Sequence, residues 1–268
     1  MRIAWHIGLP RSSDGRLESP EDLWTAAADY AAKVVNRETQ VELRFLEGST
    51  SRFVYPYLSL VHNARIVEDV LKCQEEGFEA VVLAPAIDPA LDECRAAASV
   101  TIVGSQEAAL AISQFIGRRA GTVGVKDGYV TMINENIKRY GLRQRMIDDR
   151  PVRLWEMSYT HVVKALRGDG IEFINQFERV ARELIKDGAD VLVGGCQFFG
   201  PVFDRLGYRG VADQGVPFVD CAAAGLKMAE CMTSLSRSIG LRKSENPFSP
   251  FRSMDPALIR EAAVVRRS

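Results

Sequence analysis

The strongest constraint on the fold is an internal repeat. Glu75 to Pro85 (EEGFEAVVLAP) lies over Lys186 to Cys196 (KDGADVLVGGC) without a gap, and Val100 to Leu110 (VTIVGSQEAAL) lies over Val216 to Leu226 (VPFVDCAAAGL) with a small shift. Each copy reads as a helix end, a glycine cap, a strand, a special turn, then a strand, a cap and an Ala-rich helix. A repeated supersecondary unit speaks to fold rather than composition. The repeat predicts two pseudo-symmetric α/β lobes with a cleft between them. Apolar runs bounded by turns, such as Glu79 to Ala84 (EAVVLA), suit buried parallel strands. The βαβα order predicts that each lobe is a parallel sheet covered by helices.

The first lobe is expected over 1–105 with part of 215–240, the second over 106–214, and a C-terminal tail over 241–268. Strands are expected at Arg2 to Ile7, Gln40 to Leu46, Val100 to Val103, Ala120 to Val125, Val152 to Trp155 and Val216 to Val219. Pro20, with Ser19 as cap, opens a helix to about Val35. Further helices are expected at Tyr57 to Glu76, through Cys94, at Gln106 to Ile116 capped by Ser105, and at Tyr129 to Tyr140, Ile171 to Lys186 and Ala222 to Ser238. The tail (ENPFSPFRSMDP) is rich in Pro, Ser and aromatics, and Pro256 to Val265 reads as one short helix. It packs on the body or on a second subunit, or is a loosely held terminus.

Bulk properties exclude several classes. The 268 residues suffice for one large domain or two small lobes, with 47% hydrophobic and 26% charged content. The net charge of -1 gives no reason to expect nucleic acid or an anionic membrane as partner. No apolar run approaches the roughly 18 residues that span a bilayer, and the N-terminus reads as a strand rather than a signal peptide. Five cysteines without CxxC pairs argue against a disulfide framework or zinc site and for a reducing cytoplasm. His6, His62 and His161 are scattered, so no metal site is expected.

The chemistry centres on Asp187 to Pro201 (DGADVLVGGCQFFGP). Gly194 and Gly195 let the backbone fold closely and present Cys196 at the C-terminal edge of a strand, where open α/β sheets place ligands. The thiol is a base or nucleophile, or else a small buried apolar residue. In the repeat register Pro85 is the counterpart of Cys196, and Ser105 of Cys221. A thiol on each facing turn would make a two-base machine, but Pro85 has neither a titratable group nor an amide N–H. If a helix starts near Gly200, the N–H groups of Gly195, Cys196 and Gln197 are placed to stabilise a carbanion, and the helix end should lower the Cys196 pKa. Phe198 and Phe199 wall off water or belong to the core. Cys221 reads as structural, and Cys73, Cys94 and Cys231 as packing residues. The polar loop Gly8 to Ser19 lines a site or is a plain connection.

From Arg2 to about Ser238 the chain resembles the aspartate/glutamate/hydantoin racemase superfamily. The resemblance is carried by VVLAPAIDPAL, GADVLVGGC and GVPFVDCAAAGLKMAE, with VGSQEAALAISQFIG and INENIKRYGL in support. The Asp88-Pro89 pair is similar to the hydantoin and allantoin racemases. Gln197 and Phe198 stand where glutamate racemases have Thr-His, which argues against an amino-acid carboxylate. The resemblance implies a cofactor-independent enzyme that handles carbon acids in a cleft, acts on a small molecule and forms a homo-oligomer. Cys196 falls on the family's second catalytic cysteine and Pro85 on the first, while His6 to Pro10 (HIGLP) replaces Asn-Pro-Asn. GYVTMINENI resembles arylmalonate decarboxylases and maleate isomerases, in which a tyrosine at the place of Tyr129 binds a substrate carboxylate. The site is therefore expected to hold Cys196 as catalyst, with Tyr129, Pro85, Ala86, Gly195 and Gln197 on the substrate. A racemase-type isomerase acting on a hydantoin-like cyclic amide or a small carboxylate is the leading expectation. A one-cysteine lyase or hydrolase, and a non-catalytic binding protein, stand as alternatives.

Overall fold

The computed structural model describes residues 1–11, 20–49, 54–255, 257–259 and 261. The first half of the chain runs β1 (Arg2–His6), α1 (Pro20–Val34), β2 (Gln40–Arg44), α2 (Pro56–Glu75), β3 (Ala80–Leu83), α3 (Leu91–Ala97), β4 (Thr101–Gly104) and α4 (Ser105–Ile116). The second runs β5 (Ala120–Gly124), α5 (Asp127–Arg139), β6 (Val152–Leu154), α6 (Tyr159–Leu166), α7 (Ile171–Lys186), β7 (Val191–Gly195), α8 (Phe199–Leu206), β8 (Phe218–Val219) and α9 (Cys221–Ile239). Two four-stranded parallel sheets result, ordered β2-β1-β3-β4 and β6-β5-β7-β8. The two orders are the same topology written twice, as the repeat requires.

The sheets form because their central strands are apolar on both faces. β3 (AVVL) and β7 (VLVGG) are buried throughout, as strands covered by helices on both sides must be. In α7, Phe173, Phe177, Val180, Ala181 and Leu184 recur at helical spacing and are buried. They meet an aromatic cluster in which Trp155 stacks on Phe199 at 5.5 Å and Phe177 meets Phe203 edge-on at 4.8 Å. The last helix returns to the first sheet, where α9 packs on β3, β4 and α4. Gly225 permits that approach, since a Cβ there would lie 2.8 Å from Val82 Cγ1. α1 packs against α6, α8 and α9 and so ties the halves together.

Several expectations need correction. Ser105 does not cap α4: its buried hydroxyl has no hydrogen-bond partner among the described residues. The capping acceptor is the Asp88 carboxylate, which takes the N–H of Gln106 at 2.9 Å and of Glu107 at 2.8 Å. The strand expected from Val216 shortens to Phe218–Val219. α6 went unforeseen because its cap pairs Ser158 with His161 rather than with Glu or Gln. Cys231 is exposed, so it is not a packing residue. The histidines are not all scattered: His6, with Nε2 3.3 Å from Asp69, lies close enough to His62 to depress the latter's pKa. The tail packs on the body: Lys243 donates to Ala98 O at 2.8 Å, Met254 N–H to Ala96 O at 3.0 Å, and Arg95 lies over the Phe251 ring. Ser19, most of the Gly8 to Ser19 loop and most of the Pro256 to Val265 helix lie outside the described residues. No helix among the described residues is long and apolar enough to cross a membrane.

Candidate active site

Parallel sheets of this order have a switch point between their two central strands, and loops leaving those strands diverge to open a crevice. Here both sheets turn their switch points toward one cavity of about 240 Å³. Leu9 follows β1, Pro85 and Ala86 follow β3, Val125 and Lys126 follow β5, and Gly195, Cys196 and Gln197 lie at or beyond the end of β7. Tyr129 comes from the first turn of α5. All six residues singled out in the sequence thus line the same cavity. Sequence reasoning missed Lys126, Met157, Ser158 and Tyr159, which also line it. The only signal for Lys126 was its place at the end of a predicted strand.

The second-half turn is tightly built. A Cβ on Gly195 would lie 2.6 Å from Val123 O, so β5 and β7 close to this distance only with glycine there. Beyond the turn, Phe199 N–H donates to Cys196 O at 3.3 Å, and the backbone amides of Phe198 and Phe199 lie where they favour a Cys196 thiolate. The sequence predicts that the helix end lowers the Cys196 pKa, but these amides do not bring it below the ordinary value. Burial pushes the thiol up to about 12, against the pull of those amides and of the Lys126 ammonium. Cys196 therefore rests as a thiol at neutral pH. The two phenylalanines divide: Phe198 lines the cavity and packs near Trp24 and Tyr159, whereas Phe199 is core.

Tyr129 carries a hydroxyl whose pKa is raised well above the ordinary value, by burial and then by Tyr159 and Cys196. It is a neutral donor beside the thiol. Lys126 lies 5.4 Å from the Tyr129 ring centre and 5.9 Å from that of Tyr159. The Gln197 side-chain oxygen is buried without a hydrogen-bond partner among the described residues. Cys221 is fully buried at the start of α9 and does not line the cavity.

The first-half turn is held from below. Asp88 accepts from Tyr140 at 2.7 Å as well as from the α4 amides. Asn136 of α5 donates to Ile87 O at 2.7 Å and to Gln106 at 3.0 Å. The Gln106, Asn136 and Tyr140 positions of the supporting motifs therefore clamp the Pro85 turn to the second half. Gly8, at φ +71°, lets β1's exit loop touch Pro85, whose Cγ would be 2.9 Å from a Cβ there.

A profile of the Asp/Glu/Hydantoin racemase family matches residues 27–229. The chain belongs to this family. The racemase family relatives include a hydantoin racemase of Pseudomonas sp. (strain NS671), 27% identical over 224 residues, which span 82% of this chain and 85% of the relative. Among solved structures, allantoin racemase from Pseudomonas fluorescens superposes with TM-score 0.76 at 22% identity, over 96% of this chain and 98% of its own. Allantoin racemase from Klebsiella pneumoniae gives 0.75 at 19% identity, over 95% and 94%. These likenesses establish for the racemase family chain the two-lobed fold built from two parallel sheets.

Proposed function

We propose that the protein is a cofactor-independent isomerase of the racemase type that moves a proton on the α-carbon of a small carbonyl compound, with Cys196 as the acid/base. The observation that carries this reading is the placement of Cys196. In a chain of this family it stands at the strand-end turn of one half, facing the equivalent turn of the other half across a small cavity. A carbon acid loses its proton only if the resulting negative charge on oxygen is stabilised. The Tyr129 hydroxyl and the Lys126 ammonium, both in the same cavity, suit that role. The small fraction of Cys196 present as thiolate takes the proton, and the thiol so formed returns it.

A second reading rests on Pro85. An ordinary racemase needs a second acid/base on the opposite face, and Pro85 supplies none. A lyase that loses carbon dioxide needs only one proton donor, and a thiol with its pKa pushed up to about 12 is a resting donor.

Proton NMR in deuterium oxide over a panel of 5-substituted hydantoins, allantoin, aspartate, maleate and arylmalonates separates the two, with Cys196→Ala as control. Deuterium entering an otherwise unchanged compound, and lost in the variant, supports the isomerase. Deuterium found only in a decarboxylated product supports the lyase. Turnover that survives Cys196→Ala unchanged removes both.

A further inference from the structure

Among the described residues lining the cavity, Lys126 is the one charged side chain. The rest are two phenols, a hydroxyl, a thiol, an amide, glycine and apolar groups. Lys126 is also the N-cap residue of the 13-residue helix α5, which has no side-chain cap. The positive end of that helix dipole therefore coincides with the ammonium. The Tyr129 and Tyr159 rings flank the ammonium. A fixed cation in a small, mainly apolar cavity focuses a field that favours an entering anion. At another wall, the buried Gln197 oxygen lacks a partner among the described residues and marks a second polar contact point.

On the reading that this cavity holds the substrate, we infer that it takes a small carboxylate rather than a neutral ring, with the carboxylate at Lys126 and the substituent against Leu9, Met157 and Phe198. The chemistry agrees. Removing a proton α to a carboxylate builds a second negative charge on a group already charged, so a cation at that group relieves the cost. A neutral cyclic amide builds only a single negative charge, which the Tyr129 hydroxyl can meet without a cation at a second oxygen pair. The volume of about 240 Å³ suits a substituent no larger than one ring. Lys126 then determines specificity, separating this chain from relatives named for neutral hydantoin or allantoin.

The test is calorimetric titration of the full chain with phenylacetate and with its neutral isostere phenylacetamide. Phenylacetate is expected to bind roughly tenfold or more tightly. Lys126→Met should erase that preference, with an unchanged thermal midpoint showing the fold intact, and Lys126→Arg should keep part of it. Equal affinity for the two probes, saturation by neither, or a preference that survives Lys126→Met overturns the inference. The readout is binding, so it is independent of the reaction. Cys196-dependent deuterium exchange on a neutral hydantoin, undiminished in Lys126→Met, would sink the carboxylate assignment and leave the isomerase reading standing.

Discussion

Asp88 reaches α4 only because residue 104 is glycine: a Cβ there would lie 2.6 Å from the Asp88 carboxyl carbon. The second half holds a like pair in the opposite chain order, glycine first and carboxylate second. Asp220, which aligns with Gly104 in the repeat, caps α9 through Ala223 N–H at 2.7 Å and also accepts Gly200 N–H at 3.1 Å and the Tyr30 hydroxyl at 3.0 Å. A Cβ on Gly200 would overlap the Asp220 carboxylate. Each half thus joins its two strand-end turns by one carboxylate facing one glycine, with a tyrosine hydroxyl on the carboxylate.

Gly104→Ala should displace Asp88 and cost about 1–3 kcal/mol. Asp88→Asn should cost a similar amount, because its NH2 then faces the N–H of either Gln106 or Glu107, which bond to different carboxylate oxygens. Urea unfolding of the three proteins measures both, and wild-type stability in either variant would show that the carboxylate does not hold the turn.

The five thiols should separate under native alkylation. Cys231 is exposed, whereas Cys196 is buried and pushed up to about 12. Iodoacetamide at pH 7.5 should therefore label Cys231 and leave Cys196 unmodified until urea is added. Peptide mass spectrometry reads the pattern; rapid native labelling of Cys196 would show an activated thiolate instead.

Removing the Tyr129 hydroxyl should weaken substrate handling without unfolding the chain. Tyr129→Phe is expected to lower kcat/KM by roughly 10- to 100-fold, about 1.4–2.7 kcal/mol of transition-state binding. Unchanged kcat/KM on a substrate that requires Cys196 would remove Tyr129 from the site.

His62 should make the fold acid-sensitive. Burial, then His6 and Arg65, lower its pKa to about 4. The folded state prefers the neutral ring, and the unfolded chain takes up a proton near 6.5. Its stabilisation is present above pH 6.5 and is lost as pH falls toward 4, by up to a few kcal/mol. Unfolding free energies of wild type and His62→Leu between pH 7 and 4.5 test this: the variant's profile should be flatter. Parallel profiles would assign the acid sensitivity elsewhere.

Phe199→Ala should be the most damaging of these changes, at about 3–5 kcal/mol. It opens the aromatic cluster and loosens the start of α8, whose amides reach Cys196, so thermal stability and activity should fall together. A midpoint within a few degrees of wild type would show that the cluster repacks.

Much of the architecture is local and is therefore legible in the chain. Glycine caps, apolar runs such as Ala80 to Leu83 and the doubled motif dictate short buried strands joined by helices, and those physical preferences act within a few residues. The doubled motif also aligns Pro85 with Cys196 from sequence alone, and both line one cavity. The rest depends on long-range neighbours. Asp88 rather than Ser105 caps α4 because a carboxylate 18 positions away is folded onto its first amides. Lys126 enters the site because two separate strand ends converge there. The Cys196 thiol is raised rather than lowered because burial outweighs the amides beside it. Burial and convergence are sums over residues distant in the chain, and only the folded structure carries them out.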